Sequence, residues 1–559
     1  MHEVGLQFKV TRRHDVGTPS LRQAALAQTR KAKVYRPERV EGRFDAVVIG
    51  SGMGGLSAAA LLSRAGRRVL VLERHYTMGG FTHTFRRHAY EWDVGVHYVG
   101  ELQTEGTMPN LLLEDISDGS LAWAPMPDNY DRIIFPDRQY DFWAGRERFV
   151  AELAEDFPSE RDALHRYVET VDDVYAAAMQ FFQHKALPPF IAAPARPFLC
   201  RKFLKYADQT TLTALRGLTD DPKLIGVLAG QWGTYGLPPA ESSLGIHAIV
   251  VSSYLDGAAY PVGGAGRIAR SILPAIEDGG GTLLVAAEVE EVLIRNGRAV
   301  GVRMKGGQEI LAPVVVSGAG VATTFGTLID EETRRRLGLE EKLSGLRPST
   351  SHICLYVGLA ETAESLGLRA TNRFIYPGYD HDRNVRTFEE DPGAPLPIVY
   401  ISFPSAKDPS WEARHGETAT LEVISFAPYE WFEPWEDERW KKRGESYDDL
   451  KARYSARLLE ALYEHVPETK GKVDFHELST PLSTRHFANY GRGEIYGVSF
   501  TPERFRVPWL APRTPIGGLF LTGQDTVAHG VVGALYSGLV TASAVLGRNV
   551  LKDVRRRAG

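Results

Sequence analysis

Gly50, Gly52 and Gly55 stand in the spacing G-x-G-x-x-G, and Glu73 follows the first of them by 23 positions. Residues without side chains do chemistry through the backbone they uncover. Glycines at this spacing bring main-chain N–H groups against a polyanion, and a carboxylate about 20 residues further on accepts from a sugar hydroxyl. The chemistry is the holding of a dinucleotide, with pyrophosphate on the glycines and a free ribose 2′-OH on the acid; a 2′-phosphate is disfavoured. The elements that must position these residues surround them. Ala46–Ile49 is an apolar run with three β-branched residues, as in a buried parallel strand. Leu56, Ala59, Ala60 and Ser63 recur at helical spacing. Gly66 and Arg67 turn the chain, and Val69–Leu72 is a second strand that ends at Glu73 and Arg74. Met53 and Gly54 fall where the helix begins, beside the phosphates. Strand, helix, strand and acid together carry far more weight than an isolated glycine-rich turn. NAD and FAD both satisfy the fingerprint.

Two later stretches select FAD. Gly79 and Gly80 in YTMGGFTHTF offer a second close backbone approach, which suits a ligand that continues past its adenosine half. Near the C-terminus, GGLFLTGQDTVAHGVVGALYSGLVTASAVL places a strand at Leu519–Leu521, then Gly523 and Asp525, then an uncharged helix opened by Gly530 and Gly533. Asp525 suits a ribityl hydroxyl. The helix start at Val531 and Val532 points its positive end at the flavin N1/C2=O edge, where charge gathers on reduction. Taken alone, this stretch also reads as a plain core helix. Between the two, the strand Val314–Ser317 leads to Gly318 and back to the cofactor, and Val289 is placed to meet the adenine through its backbone.

Redox chemistry on carbon also needs a proton, so a general acid is expected beside the flavin. His97 and Tyr98, just after the second glycine pair, and Tyr496, ahead of the final flavin segment, are the candidates. Each has a plainer reading: a satisfied core histidine, or core aromatics. His529, Arg485 and His486 are weaker. No serine or cysteine sits in a nucleophile elbow, and no spacing of His, Cys and carboxylates reads as a metal site.

The 559 residues are 43% hydrophobic and 24% charged, ample for a large core. The net charge of −5 gives nucleic acid no evident purchase. Two distant cysteines, Cys200 and Cys354, imply no disulfide framework, and no apolar leader is expected at the N-terminus; both fit a reducing cytoplasm. Residues 1–43 carry ten Lys/Arg against four Asp/Glu, and the tail 552–559 is basic too. Such ends suit an anionic membrane surface or plain solvent. PFLCRKFLKYA sets Leu199, Cys200, Phe203, Leu204 and Ala207 on one helical face with Arg201, Lys202 and Lys205 elsewhere. That pattern is either a peripheral membrane helix or a helix packed on its own domain.

The cofactor motifs begin at residue 44 and end near 550, so the cofactor domain is assembled from separated pieces, 44–125, 256–345 and 476–551. The remaining 126–255 and 346–475 make a substrate domain inserted into it. The sequence between 289 and 311 reads as hairpins closed at Asn296-Gly297 and Gly306-Gly307.

The stretches DAVVIGSGMGGLSAAALLSRAGRRVLVLERHYTMGGFTHTF, WDVGVHYVGEL, YPVGGAGRIA and GLFLTGQDTVAHGVVGAL resemble the retinol saturase branch of the carotenoid desaturase and isomerase flavoproteins. The box D-x-G-x-H-Y-x-G at 93–100 and L-T-G-Q-D at 521–525 are the most branch-specific parts. The resemblance implies an α/β fold: an FAD-binding Rossmann-like domain of the GR2 type with an inserted mixed α+β substrate-binding domain. It implies FAD, an apolar polyene, isoprenoid or unsaturated lipid substrate, and chemistry on C=C bonds. It puts the box holding His97 near the isoalloxazine. Saturation, desaturation and cis–trans isomerisation all stay open, as does a non-catalytic prenyl-lipid carrier of the GDP-dissociation-inhibitor type. Only one complete G-x-G-x-x-G is present, so electrons are expected from a quinone, another protein or transient contact.

Overall fold

The computed structural model describes residues 30–558. Its centre is a six-stranded, wholly parallel sheet. The strands run in the order Lys33–Val34, Thr282–Val285, Val69–Leu72, Ala46–Ile49, Val314–Ser317, Leu519–Leu521. The inner runs are apolar from end to end because both sheet faces are covered. On one face the helix Met53–Arg64, rich in alanine, crosses the helix Gly530–Leu546. Ser57 Oγ donates to the Leu535 carbonyl at 3.0 Å, and a Cβ on Gly538 would lie 2.5 Å from Ser57. Small residues at that crossing bring the two glycine-motif helices side by side, so that both start at one place. A three-stranded meander, Val289–Arg295, Arg298–Met304 and Glu309–Leu311, packs beside the sheet. Its first turn closes at Asn296-Gly297 with both residues at positive φ, as the sequence requires of this pair.

A second sheet of seven strands runs in the order Val473–Ser479, His352–Leu359, Ala419–Phe426, Val399–Ser402, Asn372–Ile375, Asn129–Ile134, Gln139–Trp143. All its pairings are antiparallel except that between Asn372–Ile375 and Asn129–Ile134. Arg161–His184 and Leu244–Tyr254 are the long helices of the same half.

Three stretches sit differently from their sequence reading. Within the basic segment 1–43, Lys33–Val34 is an edge strand of the cofactor sheet; residues 1–29 lie outside the described residues. Residue 476 falls inside a strand of the seven-stranded sheet. Most of the basic tail forms the helix Val550–Ala558, held by buried Val550, Leu551 and Val554 and by Arg557 on Asp115 at 2.6 Å. Among the described residues, no single helix is long and apolar enough to cross a membrane.

Candidate active site

A cavity of about 800 Å³ runs between the two sheets, and the residues nominated from the sequence line it, except Arg485 and His486. At one end is the glycine loop. Gly50 has φ +88°, a conformation that side chains resist. Gly52 is different: at φ −63°, ψ 169° any residue would fit the backbone, and a Cβ built there meets no atom within 4 Å. Nothing in the protein asks for glycine at 52; the space its side chain would fill belongs to a ligand. Gly54 sits so close to Gly523 that a Cβ would lie 2.6 Å from that residue's backbone, so the two cofactor motifs touch. Gly79 and Gly52 form an isolated bridge that brings in the Gly79–Gly80 pair.

Glu73 is organised before any ligand arrives. Its Oε2 accepts from Ser51 N at 2.8 Å and Ser51 Oγ at 2.7 Å, and its Oε1 accepts from His75 N at 2.7 Å. A carboxylate has about four acceptor sites, so one is left for a hydroxyl. Neither helix start at the cavity, Met53 or Gly530, has a side-chain cap or an acidic first turn. Their free N–H donors and positive ends suit phosphate and a developing flavin anion. The ring of His529, ahead of the second helix, lines the cavity with a buried Nδ1 that has no partner. These features fit a flavin dinucleotide. Val289, Gly318, Val531 and Val532 lie on the same walls. Arg74 reaches away to the carbonyls of His486 and Phe487. Asp525 accepts from Val321 N at 2.8 Å through one oxygen and from Val498 N at 2.9 Å through the other. It clamps the loops around the cofactor end, a positioning task that the sequence reading as a ribityl ligand did not foresee.

Of the three proton candidates, only His97 keeps a free nitrogen toward the cavity. Tyr98 donates its OH to Asp131 at 2.8 Å and stacks on Tyr254 at 4.4 Å. Burial and that carboxylate push its phenol far above the ordinary range, which makes it a poor acid. Tyr496 donates to the Gly233 carbonyl at 3.0 Å and packs edge-on against His529 at 4.7 Å; burial raises it too. Both tyrosines shape the wall. His97 places Nδ1 2.8 Å from Glu422 Oε2. Burial and the nearby Lys407 hold its imidazole neutral, with its pKa pushed down to about 3. Arg485 is drawn off to Glu436 at 2.9 Å and His486 stacks on Trp440.

The support behind His97 was not read from the sequence. Lys407 is buried and donates to the His97 carbonyl at 2.9 Å, Asn372 Oδ1 at 2.5 Å and Ser402 Oγ at 2.8 Å. Asp93 accepts from Ala265 N at 2.9 Å and from Tyr260 OH, which fastens the 93–100 box to the YPVGGAGRIA segment. Asp131, Asp93 and Glu422 are buried around one lysine, and burial raises all three carboxyls. The available signal was a charge in an otherwise apolar strand, ATLEVISF, where strict alternation puts Glu422 on the face of Ile424 and Phe426.

A nucleotide cradle made of two uncapped helix starts, opening past one neutral imidazole into an apolar slot, defines a flavin-dependent redox enzyme. The chain belongs to the flavin containing amine oxidoreductase family, whose model matches residues 53–546; it is a flavoprotein oxidoreductase. It is 36% identical over 539 residues to the all-trans-retinol 13,14-reductase of Danio rerio, covering 92% of this chain and 88% of that one. To prolycopene isomerase 1, chloroplastic, of an Oncidium hybrid cultivar it is 27% identical over 524 residues, covering 90% and 84%. A solved putrescine oxidase variant, 17% identical, superposes with a TM-score of 0.61 over 90% of this chain and 99% of its own, which shows the shared fold.

Proposed function

We propose that the chain is an FAD-dependent reductase of a carbon–carbon double bond in a long apolar polyene or isoprenoid, of the retinol saturase kind. The observation that carries this reading is the continuity of the cavity. It runs from Gly52 and Glu73 past His97 into a slot walled by Phe374, Ile398, Ile424 and Phe426 and by Ile246, Ile249 and Tyr254 of the helix Leu244–Tyr254. The names of the retinol reductase and prolycopene isomerase relatives support the substrate class. FAD rather than a shorter flavin follows from the strand–helix–strand unit ending at Glu73, which has work only if an adenosine half is present.

A bound flavin supplies or accepts hydride. The chain supplies the rest. The apolar slot orients the polyene and excludes water, and Glu73 with the glycine loop anchors the far end of the cofactor. His97 presents a proton at Nε2 to the alkene carbon that does not take the hydride. That proton favours net reduction over isomerisation as the outcome. The test incubates photoreduced protein with retinoids, carotenoids and unsaturated fatty acids and reads product mass. A gain of two hydrogens is expected. An unchanged mass with altered double-bond geometry would make it an isomerase, a loss of two hydrogens a desaturase. Purified protein without a flavin band would revive the carrier reading, and a released chromophore with the mass of FMN would overturn FAD.

We further propose that the protein takes its substrate from an anionic membrane surface through the helix Pro189–Leu199. None of that helix's residues is buried, and Phe190 and Phe198 are 78% and 84% exposed. No acidic residue occurs from 185 to 207, while Arg196, Arg201, Lys202 and Lys205 flank the apolar side chains. The face 199–207, which the sequence left open as a membrane helix or a packed one, is packed inward: Cys200, Phe203 and Ala207 are buried, with Phe203 against Phe181, Phe182 and Phe505. Native protein should co-sediment with phosphatidylglycerol-containing vesicles, and the Phe190→Ser/Phe198→Ser double variant should bind at least tenfold more weakly with its flavin retained. Equal binding by both proteins would remove this helix from the interface.

A further inference from the structure

Glu422 is the carboxylate of the seven-stranded sheet that meets the His97 ring. Its strand neighbours on the same face, Ile424 and Phe426, line the apolar slot. The Glu422 side chain is 0% exposed. Its Oε2 lies 2.8 Å from His97 Nδ1, and its Oε1 accepts from Asp93 N at 3.0 Å. The buried Lys407 spends its three protons on the His97 carbonyl, Asn372 and Ser402, not on Glu422. Structural ion pairs put the cation on the carboxylate; here the cation fixes the backbone of the histidine and leaves Glu422 facing an imidazole. His97 is thus held at both its main chain and its Nδ1, with Nε2 toward the cavity.

We propose that Glu422 is the proton reservoir of the site and refills His97 through Nδ1 while Nε2 gives its proton to the substrate. The inference rests on the reductase reading above. In the step, hydride from the reduced flavin adds to one alkene carbon, and the electron pair displaced to the neighbouring carbon takes the proton from Nε2. The Nε2–H bond breaks as the C–H bond forms. The Glu422 O–H bond breaks as Nδ1–H forms. The imidazole is neutral before and after, in opposite tautomers, and the negative charge ends on Glu422. A proton from water entering at Nε2 resets the pair after product leaves. Because imidazolium never forms, the burial that makes His97 a weak base does not hinder the transfer; the same burial favours the protonated carboxyl. Two protons moving in series through a fixed pair answer a problem the slot creates: bulk water cannot reach the carbon that needs protonating.

Two measurements test this. The first needs no substrate. Nitrogen-15 spectra of histidine-labelled protein at neutral pH, with the His97 signals assigned by their loss in His97→Gln, should show the Nε2–H tautomer. The Nδ1–H tautomer would mean that Glu422 is an ordinary carboxylate acceptor, and the reservoir would be excluded whatever the enzyme's reaction is. The second uses Glu422→Gln, whose amide still donates to Nδ1 but has no proton to pass. With flavin content unchanged, reoxidation of the photoreduced variant by polyene should slow by about 10²-fold or more, with the substrate concentration for half-maximal rate unchanged. Its rate against deuterium fraction should turn from bowed to straight, as two protons in flight become one. Reoxidation at the native rate, or a native proton inventory already linear, would reduce Glu422 to a positioning residue. If native protein is not reoxidised by any polyene, the reductase reading fails, while the tautomer result still stands or falls by itself.

Discussion

The cofactor end and the substrate end of the cavity are built on opposite plans. At the cofactor end the backbone binds: glycines, helix starts and one carboxylate whose partners, Ser51 and His75, are its close neighbours in sequence or in the glycine turn. At the substrate end side chains act, and they come from two segments, residues 93 and 97 and residues 407 and 422, that lie more than 300 positions apart. Backbone binding is specified by local spacing; a buried side-chain network is specified by the tertiary fold. The comparison teaches where each end should break. Substitutions at the first should cost flavin and spare the rest, and substitutions at the second should spare flavin and cost proton delivery.

Gly52→Val should produce the largest effect. The backbone tolerates valine and a Cβ at this position meets no protein atom within 4 Å, so the apoprotein should keep its melting temperature within about 2 °C. Flavin should nevertheless be absent after purification, because valine fills the ligand's space. Absorbance at the flavin band and a thermal melt check both halves. A variant that keeps its flavin would refute the placement of the cradle.

His97→Gln should keep its flavin and slow reoxidation of the reduced enzyme by substrate by ~10²–10⁴-fold, the usual loss with a general acid. Rapid mixing at the flavin band isolates this step from electron delivery. If the variant reoxidises at the native rate, His97 is structural. If it loses flavin, the box at 93–100 supports the cofactor, and the division between the two ends fails.

The unequal legibility of the two ends has a physical origin. Gly50, Gly52, Gly55 and Glu73 were readable because a turn, a close approach and a sugar contact each demand one residue type at one offset. His97 was readable because its box is contiguous and resembles a family element. Lys407 and Glu422 were not, since no local rule says which distant strand will stand behind a histidine. The choice left open at 199–207 has the same cause. The helical period of 199–207 is correct, but periodicity says only that a face is apolar, not what covers it, and Phe181, Phe182 and Phe505 do so here. The exposed Phe190 and Phe198 lie on a helix interrupted by Pro194 and Pro197, whose pattern carries no such signature.

Glu73→Ala should cost the cofactor end less than Gly52→Val. It removes a charge-assisted bond to ribose, worth about 1.5–3 kcal/mol, or roughly tenfold to a hundredfold in affinity. Because Glu73 also holds Ser51 and His75, the loss should fall toward the upper part of that range; flavin retained after dilution and gel filtration measures it. At the other end, Glu422→Gln should reshape stability against pH. Burial raises the carboxyl, so the folded state keeps a proton that the unfolded state releases. That stabilisation is complete below the ordinary glutamate value of 4.5 and is lost as pH rises to about 8. The glutamine variant lacks the loss. Its melting temperature should fall less than that of the native protein between pH 6 and pH 9, while the buried Asp93 and Lys407, which titrate in the same range, are present in both. Parallel curves would mean that Glu422 is ionised in the fold.

The smallest effect should come from Tyr496→Phe, and it sharpens the comparison most. Tyr496 lines the cavity within ring contact of His529, at the junction of the two ends, so position alone nominates it as an acid. Its hydroxyl, however, already donates to the Gly233 carbonyl at 3.0 Å, and burial raises its pKa further. A proton committed to a carbonyl and held more tightly than usual is not available to an alkene. Phenylalanine keeps the ring and its edge-on packing and removes one neutral hydrogen bond, worth about 0.5–1.5 kcal/mol of stability. Reoxidation of the reduced variant by substrate should therefore stay within about threefold of native, a margin set by small shifts of the wall. A loss approaching that of His97→Gln would move the acid from the 93–100 box to the cofactor end, and the division of labour between backbone binding and side-chain chemistry would have to be redrawn around Tyr496.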